Sequence, residues 1–213
     1  LRESAASFGA TTLEGLLERP IPICGVMGDS QAALFAQRCT TPGAAKTTFG
    51  TGARVLMNIG SKMQSSQQGL VTALAWVLQG QPTYAFEGII IFGAASVAWL
   101  KNQLGLIQSA AETETLALSI PDNGGVYLVP AFAGLAAPYW APSARGAIVG
   151  LTPSATRAHI ARAALESIGY QIHAVLQVMA AESGIPPQYL HGDGGATKNR
   201  FLMQFVADLI GFP

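Results

Sequence analysis

Charge is what this sequence has least of. Only 11% of its 213 residues are Asp, Glu, Lys or Arg, while 50% are hydrophobic; an ordinary soluble domain carries roughly 25% charge. A lone monomer covers itself with more charge than that, so the chain reads as one that packs against something further: a larger assembly, another domain, or a second copy of itself as a homodimer. Lys and Arg balance Asp and Glu to a net charge of zero and form no basic run, which excludes the electrostatic footprint of a nucleic-acid binder. Cysteine is nearly absent. Cys24 and Cys39 have no CxxC spacing, which excludes a disulfide framework or a zinc site read from sequence. Long apolar runs are missing too. The longest charge-free one, Gly88 to Leu100 between Glu87 and Lys101, is shorter than the ~20 residues of a membrane span. With no signal peptide in view, the cytoplasm is the expected location and no membrane partner is expected. The chain opens at Leu1-Arg2-Glu3 and stops just after a helical pattern, so it is read as an internal piece of a longer protein.

What is present alternates between strand and helix signals. Pro22 to Met27 reads as a strand, followed by Asp29-Ser30 as the cap of a helix over Gln31–Ala36. Ala44–Phe49 and Ala53–Ile59 read as a hairpin with a Gly50-Thr51-Gly52 tip. Strands are expected over Leu70–Trp76 and Thr83–Phe86, then helices over Ile89–Leu104 and Glu112–Leu118. Gly125–Pro130 reads as a strand and Phe132–Pro142 as an irregular aromatic loop. A long helix opens at Thr156 or Arg157 and runs to about Glu182, with apolar residues at helical spacing. Tyr189–Gly192 is a strand, Asp193–Ala196 a sharp turn, and Asn199–Ile210 a closing helix. The pattern implies a mixed α/β sheet covered by helices.

Two glycine turns could carry chemistry, because glycine lets a backbone approach a phosphate and leaves successive N–H groups facing one concavity. Gly50-Thr51-Gly52 is not a dinucleotide fingerprint, since the third glycine is missing and strand residues follow. Gly194-Gly195 stands between a strand and a helix, where a helix N-terminus can face an anion. Neither Lys46 nor Lys198 has the spacing of a Walker A loop. As ordinary features, both glycine pairs are turns and Asp29 is an N-cap. As functional ones, Asp29 is a general base that takes a proton from an attacking hydroxyl.

In order along the chain, these motifs are Ile21-Pro22-Ile23 through Gly28-Asp29-Ser30-Gln31-Ala32-Ala33-Leu34-Phe35, Ala45-Lys46-Thr47-Thr48-Phe49-Gly50-Thr51-Gly52, Val129-Pro130-Ala131-Phe132 with Ala137-Pro138-Tyr139-Trp140, Arg145 through Thr152 continued by His159 to Glu166, and Asp193-Gly194-Gly195-Ala196 with Asn199. Together they resemble the FGGY carbohydrate kinases, and within them the glycerol kinase branch. The resemblance implies an actin-like ATPase (ribonuclease-H-like) fold in which two domains close on a cleft. Residues 1–40 would end the first, substrate-side domain, and residues 41–213 would form the second, nucleotide-binding domain, truncated at its C-terminus.

The resemblance also implies roles. Asp29 would be the catalytic base, and Asp29, Ser30 and Arg54 would meet the substrate. Gly50, Thr51 and Gly52 would meet the nucleotide phosphates, with Gly93 and Ala94 lining the same pocket and Gly194, Gly195, Ala196 and Asn199 on the adenosine side. ATP and Mg²⁺ are the implied cofactors, the metal arriving through the nucleotide with no dedicated site on this chain. The partners implied are a small polyol or sugar and the N-terminal domain of a parent kinase, without which the fragment is expected to be inactive. Ser30 stands where the branch has Gln, Arg54 where it has an aromatic, Ala94 for a second glycine, Ala98 for a Gln, and Pro20 for an effector-binding Arg. An arginine at position 54 would suit a more polar polyol or one carrying an anionic group. The alternative is a non-catalytic nucleotide-binding module of the same fold.

Overall fold

A computed structural model describes residues 2–213. In chain order the elements are β1 (Ala10–Thr11), β2 (Ile21–Pro22), α1 (Asp29–Ala36), β3 (Ala44–Phe49), β4 (Ala53–Gly60), β5 (Val71–Leu78), β6 (Gln81–Ile90), α2 (Ala95–Asn102), α3 (Glu112–Leu118), β7 (Tyr127–Val129), β8 (Ala147–Val149), α4 (Arg157–Ser183), β9 (Tyr189–Asp193) and α5 (Arg200–Ile210). The core is a five-stranded sheet in the order β5-β6-β4-β3-β9. Neighbours are antiparallel except β3 and β9, which run parallel.

Strand geometry sends successive side chains to opposite faces, and here the two faces meet different elements. Ala45, Phe49, Val55, Met57, Phe86 and Ile90 join one apolar cluster with Ile168, Ile172, Val175 and Met179 of α4. That helix is 27 residues long and is entered through a capping box between Thr156 and His159. His159 accepts the Thr156 N–H at 3.1 Å, a donor that the helix cannot pair itself. The opposite face is covered by α1, whose Leu34 packs with Cys39, Ala44, Leu56, Trp76 and Ala85 in a smaller cluster. No described helix is long and apolar enough to cross a membrane.

The structure departs from the expected elements where pairing overrides local pattern. The helix expected from Ile89 begins only at Ala95, because β6 continues to Ile90 and pairs Glu87–Ile90 with Ala53–Leu56 of β4. The β5–β6 hairpin is longer than its two apolar runs suggested, closed by Gln79-Gly80 with φ of 51° and 74°, the left-handed pair that matches strand twist. Of the strand expected over Pro22–Met27, only Pro22 falls in a strand, Ile21–Pro22, which pairs with Ala10–Thr11. The short strand β8 carried no sequence signal and exists through its three-residue pairing with β7.

Candidate active site

The face of the sheet under α1 changes character toward the C-terminal end of β3. Ala44 is apolar and buried, then Lys46 and Thr48, two and four residues on, point to the same side. A cavity of about 580 Å³ opens there, lined by Asp29 and Ser30 of α1, Lys46 and Thr48 of β3, the Gly50–Gly52 tip, Arg54 of β4 and Asp193 of β9. Asp29 is not the cap of α1. Gly28 occupies that position, and Asp29 opens the first turn with its carboxylate accepting the Ser30 N–H at 2.7 Å. Because that bond is local, the exposed carboxylate keeps acceptor capacity toward the cavity. Ser30 is buried, so its position presents little more than a small wall.

Arg54 is paired. Its Nη1 donates to Glu87 Oε1 at 2.7 Å, and Glu87 is 6% exposed. The pair uses one guanidinium N–H, and the Arg54 side chain stays half exposed on the cavity wall. Lys46, which lacks the spacing of a Walker A loop, is one of the largest fully buried side chains and lines this cavity. It is 1% exposed, and its ammonium donates to Thr48 Oγ1 at 2.8 Å. Burial pulls its pKa below the usual lysine value, while Asp193, Glu87 and Asp29 pull it back up. Asp193, seen in sequence only as part of a turn, lines the cavity and accepts from the Gln37 amide. The available signal was a lysine inside a strand that otherwise reads as buried.

The tip itself is anchored from behind. Carbonyls of Gly50 and Thr51 accept from the N–H groups of Gly93, Ala94 and Ala95 at 2.9–3.1 Å. The first donors of α2 are thus used to hold the tip. Gly93 lines neither this cavity nor the next; a Cβ there would lie 3.0 Å from Gly52 backbone atoms, so its part is to let the two segments touch.

A second cavity of about 800 Å³ adjoins on the other side of Gly50, between α2, α3, α4 and the start of α5, and includes Ala94, Ala98, Gly195, Ala196 and Asn199. Gly194, at φ 96°, lines neither cavity: a Cβ there would sit 2.4 Å from the Phe49 carbonyl oxygen. It turns the chain so that Gly195, which has nothing within 4 Å of a would-be Cβ, faces open space. Asn199 is already engaged, its oxygen capping α5 through the Leu202 N–H at 2.9 Å and its amide donating to Thr113 at 3.1 Å. Of the residues expected to form one site, Gly50 joins the two cavities, Asp29, Ser30, Thr51, Gly52 and Arg54 line the first, and Ala94, Gly195, Ala196 and Asn199 line the second. Arg145 braces its own loop through the Pro142 and Ala144 carbonyls.

Comparison with known proteins bears on the family and the fold. Residues 45–213 match the model of the FGGY family of carbohydrate kinases, C-terminal domain. The glycerol kinase of Symbiobacterium thermophilum is 54% identical over 210 residues, 99% of this chain and 42% of the relative. That of Desulfitobacterium hafniense is 50% identical over 211 residues, 99% of this chain and 43% of the relative. The crystal structure of Plasmodium falciparum glycerol kinase with ADP superposes with a TM-score of 0.90 at 37% identity, covering 99% of this chain and 42% of that one. The chain therefore spans 42–43% of the length of these relatives. Its α/β architecture is that of the C-terminal domain of these kinases, the actin-like ATPase fold. By sequence and by fold, the chain belongs to the FGGY family of carbohydrate kinases.

Proposed function

We propose that this chain forms the nucleotide-binding part of an ATP-dependent kinase that phosphorylates a hydroxyl of glycerol or a related small, uncharged polyol. The observation that carries the reading is that Gly50 lines both cavities, with the exposed carboxylate of Asp29 in one and a roomy, largely apolar space in the other. Apolar cavities of this size with a few polar groups suit a nucleoside. The glycine tip between them suits phosphates, because the Thr51 and Gly52 backbone can come close to an anion.

In this reading Asp29 accepts the proton of the acceptor hydroxyl as that oxygen bonds to the γ-phosphorus of ATP and the bond from phosphorus to the bridging oxygen breaks, releasing ADP. A magnesium ion arriving with the nucleotide would offset the charge of its phosphates. The chain's own contribution is to hold the phosphates at the tip, to seat the base beside Gly195 and Ala196, and to keep Asp29 within reach of the hydroxyl. The Arg54–Glu87 pair keeps the acceptor end close to charge balance, which supports a neutral polyol. The remaining substrate contacts would come from an N-terminal domain like that of the longer relatives, so the chain by itself would bind nucleotide and transfer little phosphate.

Calorimetric titration with MgADP tests the nucleotide part. The unaltered chain is expected to bind, and Gly195→Val, whose side chain would enter the larger cavity, is expected to lose that binding with its circular dichroism unchanged. Asn199→Ala is a poorer probe, because it also removes the cap of α5. Binding without phosphoryl transfer once the chain is joined to the N-terminal domain of a relative such as the Symbiobacterium enzyme would favour a non-catalytic nucleotide-binding module.

A further inference from the structure

The cleft contains a cation that the assigned roles do not use. Lys46 is 1% exposed, yet among the described residues no carboxylate lies within 4.0 Å of its ammonium nitrogen. A lysine ammonium has three N–H donors, and one goes to Thr48 Oγ1 at 2.8 Å. The other two have no protein partner among the described residues. Buried charges are ordinarily paired or fully hydrogen-bonded, because leaving water is costly. The carboxylates around this one, Asp193, Glu87 and Asp29, act on it only through space, and Glu87 is already bonded to Arg54.

The bond to Thr48 has a directional consequence. With its oxygen accepting from Lys46, the Thr48 hydroxyl turns its own hydrogen elsewhere, and Thr48 lines the cavity between Asp29 and the Gly50–Gly52 tip. Lys46 thus fixes a neutral donor as well as supplying a charge. Both line the cavity that also holds the proposed base and the proposed phosphate loop, where negative charge develops on phosphoryl oxygens during transfer.

We propose that Lys46 and Thr48 form an oxyanion-binding pair for the transferring phosphoryl group, Thr48 contacting a phosphoryl oxygen directly and Lys46 acting as the positioning residue that orients Thr48 and balances the added charge. This rests on the reading of the cleft as a phosphoryl-transfer site and assigns it two further residues. The plain rival is a structural ammonium that only offsets Asp193, Asp29 and Glu87, which predicts no response to phosphate.

The test uses the 213-residue chain with ¹⁵N-labelled lysine, following the Nζ signals of Lys46, Lys62, Lys101 and Lys198 by NMR, with Lys46→Met giving the assignment. MgADP is added first to establish nucleotide binding, then inorganic phosphate as the probe. Phosphate is expected to shift the Lys46 signal and slow its proton exchange while the other three stay put. Thr48→Val, which keeps the shape and loses the hydroxyl, is expected to weaken phosphate binding about 10- to 100-fold. Thr48→Ser should restore it, and the circular dichroism of both variants should match the parent chain. MgADP binding with a Lys46 signal that ignores phosphate, or a Thr48→Val chain that binds phosphate as well as the parent, overturns the proposal and leaves the nucleotide reading standing. Failure to bind MgADP at all overturns both.

Discussion

Ala45, Val55, Met57 and Phe86 on one face of the central sheet, and Lys46, Thr48, Arg54 and Glu87 on the other, come from the same three strands at neighbouring positions. The first face is sealed by α4 through aliphatic and aromatic side chains. The second is sealed by α1 only over Ala44, Leu56 and Ala85, then opens into a cleft whose walls are charged. Stability and chemistry are thus separated by the two-residue period of a strand rather than by distance along the chain. A one-residue slip of β3 against β4 would exchange them.

The separation can be broken from either side. The largest effect is expected at Asp29: in the kinase assembled with a relative's N-terminal domain, Asp29→Asn should lower kcat by about 10²- to 10⁴-fold, the usual contribution of a positioned general base, while the thermal midpoint of the domain stays put. An unchanged rate would remove Asp29 from the mechanism. On the opposite face, Ile172→Ala should destabilise the fold by about 2–5 kcal/mol in urea titrations, since Ile172 is fully buried against the sheet. The stability lost there should leave the acceptor preference of the surviving folded protein unchanged.

A smaller effect sharpens the comparison on the polar face alone. Glu87→Gln removes the charge balancing Arg54, and should raise kcat/KM for an acceptor carrying a carboxylate or phosphate by several-fold relative to the neutral polyol. An unchanged ratio would show that Arg54 does not face the acceptor. The smallest concerns the cysteines. Cys24 is exposed, whereas Cys39 is fully buried and its burial pushes the thiol pKa up to about 11. Thiolate is the reactive form, so iodoacetamide at pH 8 should label Cys24 and spare Cys39 until the chain is unfolded; equal labelling would contradict the packing of α1 on the sheet.

Much of this architecture could be read from the sequence, and the failures have a common cause. The glycine-tipped β3–β4 hairpin, the long helix α4 and the closing strand, turn and helix all follow from local signals: period, cap and glycine. The extension of β6 over Glu87–Ile90 did not, because those residues sit in a charge-free apolar run and only their pairing with Ala53–Leu56 selects a strand. The same holds for the site. Asp29 and the glycines stood out as residue types at turns, whereas Lys46, Thr48 and Glu87 lie mid-strand. Their importance depends on which face they occupy and on partners far away in the chain. Arg54 was visible, but the carboxylate that neutralises it lies 33 residues on.

The most direct measurement is a crystal structure of the chain with MgADP. The account predicts the base in the larger cavity beside Gly195 and Ala196, with the phosphates passing Gly50 to the Thr51–Gly52 backbone and ending on the side of Thr48 and Asp29. A nucleotide seated elsewhere, or one whose phosphates point away from the Gly50–Gly52 tip, would contradict it.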